Sequence, residues 1–126
     1  MITDRLIDKI IEMQNPTCVG LDTLFDYLPD EMKAGATTFA DAAERVLEFN
    51  KKIIDNVYDI VPSVKVQIAY YEMYGVAGMK AYEETLKYAA EKGLVVIADA
   101  KRNDIGSTAS CYAKTFLGET EVNGNA

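Results

Sequence analysis

The chain has 126 residues, of which 49% are hydrophobic, and it carries a net charge of −7 with no histidine. This length suits one small domain, and the hydrophobic share is enough for a packed core. The negative charge argues against nucleic-acid binding, which needs a basic surface. Without histidine, these residues alone can build neither a serine–histidine triad nor a histidine-bound zinc site.

The cysteines and the N-terminal residues bear on where the protein works. Cys18 and Cys111 form no Cys-x-x-Cys motif, and such sparse usage fits a reducing cytosol. The first residues lack the basic start and long apolar run of a signal peptide. No segment approaches the roughly 20 apolar residues of a membrane span. We therefore expect a cytoplasmic protein with no membrane contact.

Hydrophobic periodicity predicts that helices and strands alternate along the chain. The predicted helices cover residues 3–13, 30–33, 38–60, 78–92 and 107–117. The predicted strands cover residues 17–21, 63–69 and 94–98, and residues 119–126 are expected to form a loop or a frayed tail. Thr3 and Thr38 are the expected N-caps, and Gly93 is the expected residue just beyond a helix end. Asn50 belongs to a stripe on the long helix that we interpret as core packing.

This alternation predicts right-handed βαβ units around a parallel sheet. The nearly continuous apolar runs in the second and third strands predict burial on both faces of the sheet. The first helix precedes every strand, so it is expected to close the bottom of the sheet. An open flavodoxin-like sheet would need about five strands, whereas three are predicted.

The third strand ends in a cluster of charged residues. Asp99 and Lys101 are two positions apart, so on a strand they point the same way. Buried charges are costly unless they are paired, and charged groups at the carboxyl end of a strand in α/β proteins usually do chemistry. The alternative is a salt-bridged strand end, with Ser107 and Thr108 capping the next helix.

Two more charged residues belong to the first two strands. Lys65 interrupts an apolar strand and faces the same way as Gln67. On an edge strand it would be a solvated residue that discourages aggregation, but on a central strand its ammonium must meet a carboxylate or a ligand. Asp22 follows the first strand, and on the residues alone it is interpreted as a turn residue or helix cap.

The third strand and the residues after it resemble the signature of the orotidine 5'-phosphate decarboxylase family. The matching pattern is Asp99-x-Lys101-x-x-Asp104-Ile105-Gly106-x-Thr108. This family makes UMP from orotidine 5'-phosphate in pyrimidine synthesis, with no cofactor and no metal. Its fold is a (β/α)₈ TIM barrel of roughly 250 residues. The resemblance covers the first three strands of that barrel, so we expect residues 1–126 to be the N-terminal part of one TIM-barrel domain that stops before the fourth strand.

The resemblance also implies roles for four residues of one site. Lys101 would place its ammonium beside C6 of the substrate and give that carbon a proton. Asp99 would lie near the leaving carboxylate and keep Lys101 charged. Lys65 would contact the ribose and join the charged array, and Asp22 would bind ribose hydroxyls.

Three further residues are implied to act across a subunit boundary. In the family the residues that match Asp104, Ile105 and Thr108 reach into the partner's site, which implies a homodimer with shared active sites. Asn103 departs from the glycine that close relatives often carry. The loops that bind the phosphate and the pyrimidine come later in the family's barrel, and three strands cannot close a barrel. We therefore expect this chain alone to be inactive, and to be unstable or self-associating.

Three other functions remain open. Sugar-phosphate decarboxylases and synthases of the same superfamily share Asp-x-Lys-x-x-Asp and use magnesium, although the sequel at residues 105–108 favours the orotidine 5'-phosphate enzyme. A Schiff-base aldolase could use Lys101 or Lys65, but its amine must be neutral and neighbouring carboxylates would keep these lysines charged. The third alternative is a half-barrel that binds or assembles without catalysis.

Overall fold

The computed structural model describes residues 1–123 and 125. Three strands alternate with helices along this part of the chain: β1 (Cys18–Gly20), β2 (Ser63–Gln67) and β3 (Val95–Asp99). The helices are α1 (Ile2–Met13), α2 (Asp30–Lys33), α3 (Phe39–Val57), α4 (Ala69–Glu72), α5 (Gly75–Glu91) and α6 (Gly106–Leu117), and a 3₁₀ turn covers Phe25–Tyr27. In the predicted tail, Val122 and Asn125 form an isolated antiparallel bridge, and residues 124 and 126 lie outside the described residues.

The three strands form one parallel sheet in the order β1-β2-β3, as the sequence predicts. Lys65 of β2 lies between Gly20 of β1 and Ile97 of β3, and Gln67 lies opposite Asp99. Because partners in a parallel register point to the same face, the side chains of Lys65, Gln67 and Asp99 share one face. β2 is therefore the central strand of the described sheet.

The core lies on the opposite face, between the sheet and the two long helices α3 and α5. Val64 and Val66 of β2 are fully buried there, with Val46 of α3 and Ala81 of α5 among the residues of the same cluster. The face that carries Lys65 is open, and Ile97 on that face is 41% exposed. Among residues 1–123 and 125 the predicted burial of both faces is therefore not observed, because helices cover only one face of these three strands.

The helix ends can be compared with the caps that the sequence predicts. Thr38 caps α3: its hydroxyl accepts a hydrogen bond from the Asp41 backbone N–H at 3.1 Å, and the Asp41 carboxylate accepts one from the Thr38 N–H at 2.9 Å. The hydrogen bonds from Thr37 and Thr38 hold the pKa of Asp41 below its usual value. Gly93 follows α5 with φ of 85°, in the left-handed region that favours glycine. The Thr3 cap is wrong, because α1 already begins at Ile2.

Helix α1 lies at the amino ends of the strands. The Arg5 guanidinium donates a hydrogen bond to the Gly93 carbonyl at 3.4 Å, and the Asn15 amide donates one to the Ile60 carbonyl at 2.9 Å. Gly93 and Ile60 precede β3 and β2, so these contacts agree with the expectation that α1 closes the bottom of the sheet. No helix in the described part of the chain is both long and apolar enough to cross a membrane.

Candidate active site

Four charged side chains of alternating sign meet at the carboxyl ends of the strands. The Lys65 ammonium lies 3.1 Å and 3.0 Å from the two carboxylate oxygens of Asp22. It also lies 3.9 Å from Asp99 Oδ2, while Asp99 Oδ1 accepts a hydrogen bond from the Lys101 ammonium at 2.7 Å. The order is therefore Asp22, Lys65, Asp99, Lys101, so each charge has a neighbour of opposite sign.

The four side chains differ in their exposure. Those of Asp22, Lys65 and Asp99 are 35%, 34% and 27% exposed, whereas that of Lys101 is 69% exposed. Lys65 lies on the central strand, so the edge-strand alternative does not apply. Its ammonium meets two carboxylates, which is what a lysine on a central strand requires.

Asp99 is held on both of its oxygens. Oδ1 accepts from Lys101, and Oδ2 accepts a hydrogen bond from the Gln67 side-chain amide at 2.9 Å. Sequence reasoning placed Gln67 on the same face as Lys65 but gave it no role. The signal that could have found Gln67 is its position two residues after Lys65 on the same face of the strand. A predicted register of β2 against β3 would have placed it opposite Asp99.

Lys101 reaches Asp99 from an unusual backbone conformation. β3 ends at Asp99, and Lys101 has φ of 48°, in the left-handed region that residues other than glycine rarely adopt. Strand alternation predicts that these two side chains point the same way; they do meet, but through this turn and not through a continued strand. Such backbone strain is concentrated at functional sites.

Arg102 fastens the turn to the helix after β2. Its guanidinium donates to the Ala100 carbonyl at 3.1 Å and pairs with Glu72 of α4, and this pairing raises the pKa of Arg102. Tyr82 lies close by: burial raises the pKa of its phenol, and the Asp99 carboxylate raises it further. Sequence reasoning gave Arg102 no role, and its partner 30 positions away leaves no local signal.

Asp104, Ile105 and Thr108 do not join the charged array. Asp104 accepts a hydrogen bond from the Ile105 backbone N–H at 2.7 Å, and no ion pair links it to another residue within 1–123 or 125. The Ile105 side chain points outward and is 86% exposed, and Thr108 is exposed in the first turns of α6. Lys101 and Asp104 both line an open cavity of about 340 Å³ between the turn and α6.

Within residues 1–123 and 125, no three cysteine, aspartate or glutamate side chains lie close enough together to hold a metal ion. Asp22 and Asp99 instead share the ammonium of Lys65.

Several curated proteins are similar to this chain over nearly its whole length. The chain is 48% identical to the orotidine 5'-phosphate decarboxylase of Petrotoga mobilis over 97% of its own length, and 47% identical to that of Clostridium perfringens over 96%. It is also 48% identical to that of Clostridium acetobutylicum over 97%. The chain spans about two fifths of the length of these relatives, 41% for the first two and 42% for the third.

Solved structures agree with the sequence relatives. A crystal structure from Toxoplasma gondii described as an orotidine-monophosphate-decarboxylase matches 90% of this chain and 36% of that chain, with 31% identity and a TM-score of 0.74. One from Streptomyces avermitilis described as an orotidine 5'-phosphate decarboxylase matches 92% of this chain and 38% of that chain, with 28% identity and a TM-score of 0.73. The predicted fold class, a three-stranded parallel portion of this family's α/β barrel, is confirmed.

The sequence model of the orotidine 5'-phosphate decarboxylase / HUMPS family matches residues 16–124. This range contains all three strands and every charged residue of the array. The protein belongs to the orotidine 5'-phosphate decarboxylase / HUMPS family.

Proposed function

We propose that this chain supplies the charged catalytic face of an orotidine 5'-phosphate decarboxylase, which forms UMP without a cofactor. The observation that carries this proposal is the alternating array, in which Lys101 contacts Asp99 at 2.7 Å and Lys65 contacts Asp22 at 3.0 Å. Family membership and the residues that follow Asp104 support the same function. We place the protein in the cytoplasm, which its two free, exposed cysteines support.

The reaction needs a cation where negative charge develops. When the bond from C6 to the carboxylate breaks, CO₂ leaves and the electron pair stays on C6 in an in-plane orbital. A fixed ammonium beside C6 stabilises that pair, and it can then transfer a proton to C6 to complete UMP. Lys101 has the exposure and the charge for this role, and water returns its proton afterwards.

The other three side chains hold that ammonium in place. Asp99 accepts a hydrogen bond from the Lys101 ammonium at 2.7 Å and so fixes its position. Asp99 also sets a negative charge close to where the substrate carboxylate would lie. Lys65 balances Asp99 and Asp22, so the array holds its geometry without excess charge. Asp22 and Lys65 are the residues we assign to the ribose hydroxyls.

We assign residues 1–126 to the N-terminal part of one TIM-barrel domain. The chain's three strands and its coverage of about two fifths of its relatives support this assignment. Activity is therefore best tested in a chimera, defined here as residues 1–126 joined to the C-terminal remainder of the Petrotoga mobilis relative. We expect the chimera to decarboxylate orotidine 5'-phosphate, which is measured as the loss of substrate absorbance. We expect the chain alone to be inactive.

The C-terminal remainder alone is the control for this experiment. A folded chimera without turnover would contradict the proposal. If the chimera instead converts a sugar phosphate, and only when magnesium is added, the protein would be one of the related decarboxylases and synthases. Trapping of a carbonyl substrate on Lys101 or Lys65 by borohydride would indicate an aldolase.

A homodimer with shared sites gives a separate prediction. We assign Asp104, Ile105 and Thr108 to the partner's site, which their outward position supports. Two chimera variants, Lys101→Ala and Asp104→Asn, should each be nearly inactive alone. When mixed and allowed to exchange subunits, half of the dimers carry one intact site, so activity should return to about one quarter of the unsubstituted level.

The control for the mixing experiment is a pair of variants within one site. Lys101→Ala mixed with Asp99→Asn should regain nothing, because both residues serve the site of their own subunit. Recovery in both mixtures, or in neither, would exclude the assignment of Asp104 to the partner's site.

A further inference from the structure

A chain of buried polar side chains runs from the long helix to the turn that carries Asp22. The Asn50 amide N–H donates to the Tyr71 hydroxyl at 2.8 Å, and that hydroxyl donates to the Leu21 carbonyl at 2.8 Å. The Thr23 hydroxyl donates to the Asn50 amide oxygen at 2.7 Å. The chain therefore fastens the residue before Asp22 and the residue after it.

These groups are buried. Asn50 and Tyr71 are 0% exposed and Thr23 is 5% exposed, among mostly apolar core residues. A buried polar group costs free energy unless it is hydrogen-bonded, and leucine or phenylalanine would fill the same space without that cost. A satisfied polar network in such a place specifies geometry rather than adding stability.

Each hydrogen bond of this network also has a defined donor and acceptor. Burial raises the pKa of the Tyr71 phenol, so its hydroxyl stays a neutral donor to Leu21. Asn50 uses its oxygen and its nitrogen for different partners, which sets the orientation of the amide. A second tyrosine supports the same loop, since the Tyr74 hydroxyl accepts a hydrogen bond from the Phe25 backbone N–H at 3.0 Å.

We infer that Asn50, Tyr71 and Thr23 are positioning residues that hold both oxygens of the Asp22 carboxylate against the Lys65 ammonium. They touch neither the ammonium nor the open face, so they act through Asp22. With Asp22 fixed, Lys65 is kept 3.0 Å from that carboxylate and 3.9 Å from Asp99, which leaves Asp99 Oδ1 to Lys101. The effect on turnover rests on the proposed function, whereas the effect on Lys65 does not.

The first test measures Lys65 without substrate. In the chimera, the rate at which an amine-reactive reagent labels Lys65 is compared by mass spectrometry with that of Lys87, an exposed lysine on α5. Tyr71→Phe removes one hydroxyl and should raise the relative labelling of Lys65 roughly three-fold, the scale of one loosened, partly exposed ion pair. Equal labelling in Tyr71→Phe and in the unsubstituted chimera would overturn the inference.

Tyr82→Phe is the matched control for Tyr71→Phe. Tyr82 packs edge-on against Tyr71 at 5.4 Å between ring centroids, and its buried hydroxyl has no hydrogen-bond partner among residues 1–123 and 125. The two variants therefore make the same chemical change in the same aromatic pair, but only one breaks the network. A rise in Lys65 labelling with Tyr82→Phe as large as with Tyr71→Phe would also overturn the inference.

A second pair of variants covers the case in which Tyr71→Phe does not fold. Thr23→Val removes the hydroxyl at the end of the network and keeps the shape of the side chain, whereas Thr23→Ser keeps the hydroxyl. Thr23→Val should raise Lys65 labelling, and Thr23→Ser should leave it unchanged. Identical labelling in these two variants would count against the network.

Kinetics give the final test of action through Asp22. Tyr71→Phe should lower kcat/KM for orotidine 5'-phosphate on the order of ten-fold. The double variant Tyr71→Phe/Asp22→Asn should be no slower than Asp22→Asn alone, since both changes disable one unit. Independent, multiplying effects would refute action through Asp22. If labelling responds as expected but the unsubstituted chimera shows no turnover, the positioning role stands and the decarboxylase proposal fails.

Discussion

Replacing Lys101 with alanine is expected to lower kcat of the chimera by at least about 10³-fold, measured by loss of orotidine 5'-phosphate absorbance. The substitution removes the group that we propose as both the cation beside C6 and the proton donor, and each function alone contributes a factor of about 10² or more. It also leaves the Asp99 carboxylate without its 2.7 Å partner. Because the lysine side chain is 69% exposed, the fold should be retained, which circular dichroism can check.

Lys87→Ala is the matched control. It also removes an ion-paired lysine, since Lys87 contacts Glu83 at 2.7 Å, but this pair lies on the exposed surface of α5. We expect full activity from this variant. If Lys101→Ala retained more than a tenth of the activity, the assignment of Lys101 as the cation at C6 would be untenable.

Replacing Gly78 with alanine is expected to destabilise the chimera by about 3 kcal/mol, measured by urea unfolding. A Cβ on Gly78 would lie 1.8 Å from the Tyr71 carbonyl oxygen and 2.8 Å from the Tyr71 carbonyl carbon. These are backbone atoms, so they cannot rotate away, and α4 must separate from α5. Because Tyr71 also fastens the turn before Asp22, we expect activity to fall together with stability.

Gly118→Ala tests whether this effect is specific to the close helix contact. A Cβ on Gly118 would meet its nearest neighbour, the Lys114 Cα, at 3.5 Å, which is an ordinary contact. We expect this variant to shift the urea midpoint little. An unchanged midpoint for Gly78→Ala would show that α4 and α5 do not pack as closely as described.

The sequence predicted the elements well where a local signal marks them. Thr38 caps α3 through its hydroxyl, and Gly93 follows α5 in the left-handed conformation that favours glycine. The open face of the described sheet was not predicted. Apolar runs in β2 and β3 indicate burial, but they do not show which face of the sheet the helices cover.

In the candidate site, too, the residues with a local sequence signal were predicted and those with distant partners were not. The motif at the end of β3 and the isolated lysine on β2 were visible because charge in an apolar strand demands a partner. Asn50 was assigned to core packing, and its burial was right, but its partner Tyr71 lies 21 positions away. A single sequence does not show which two distant polar residues satisfy each other, so the network beneath Asp22 could be found only in three dimensions.

The backbone conformation of Lys101 lowers the stability of the fold, although its side chain is the one we propose for catalysis. Its φ of 48° costs a lysine about 1 kcal/mol, a cost that glycine would not carry. Selection for stability alone would therefore favour glycine at this position. With the catalytic role that we propose for Lys101, its strained backbone is a stability cost that the reaction requires.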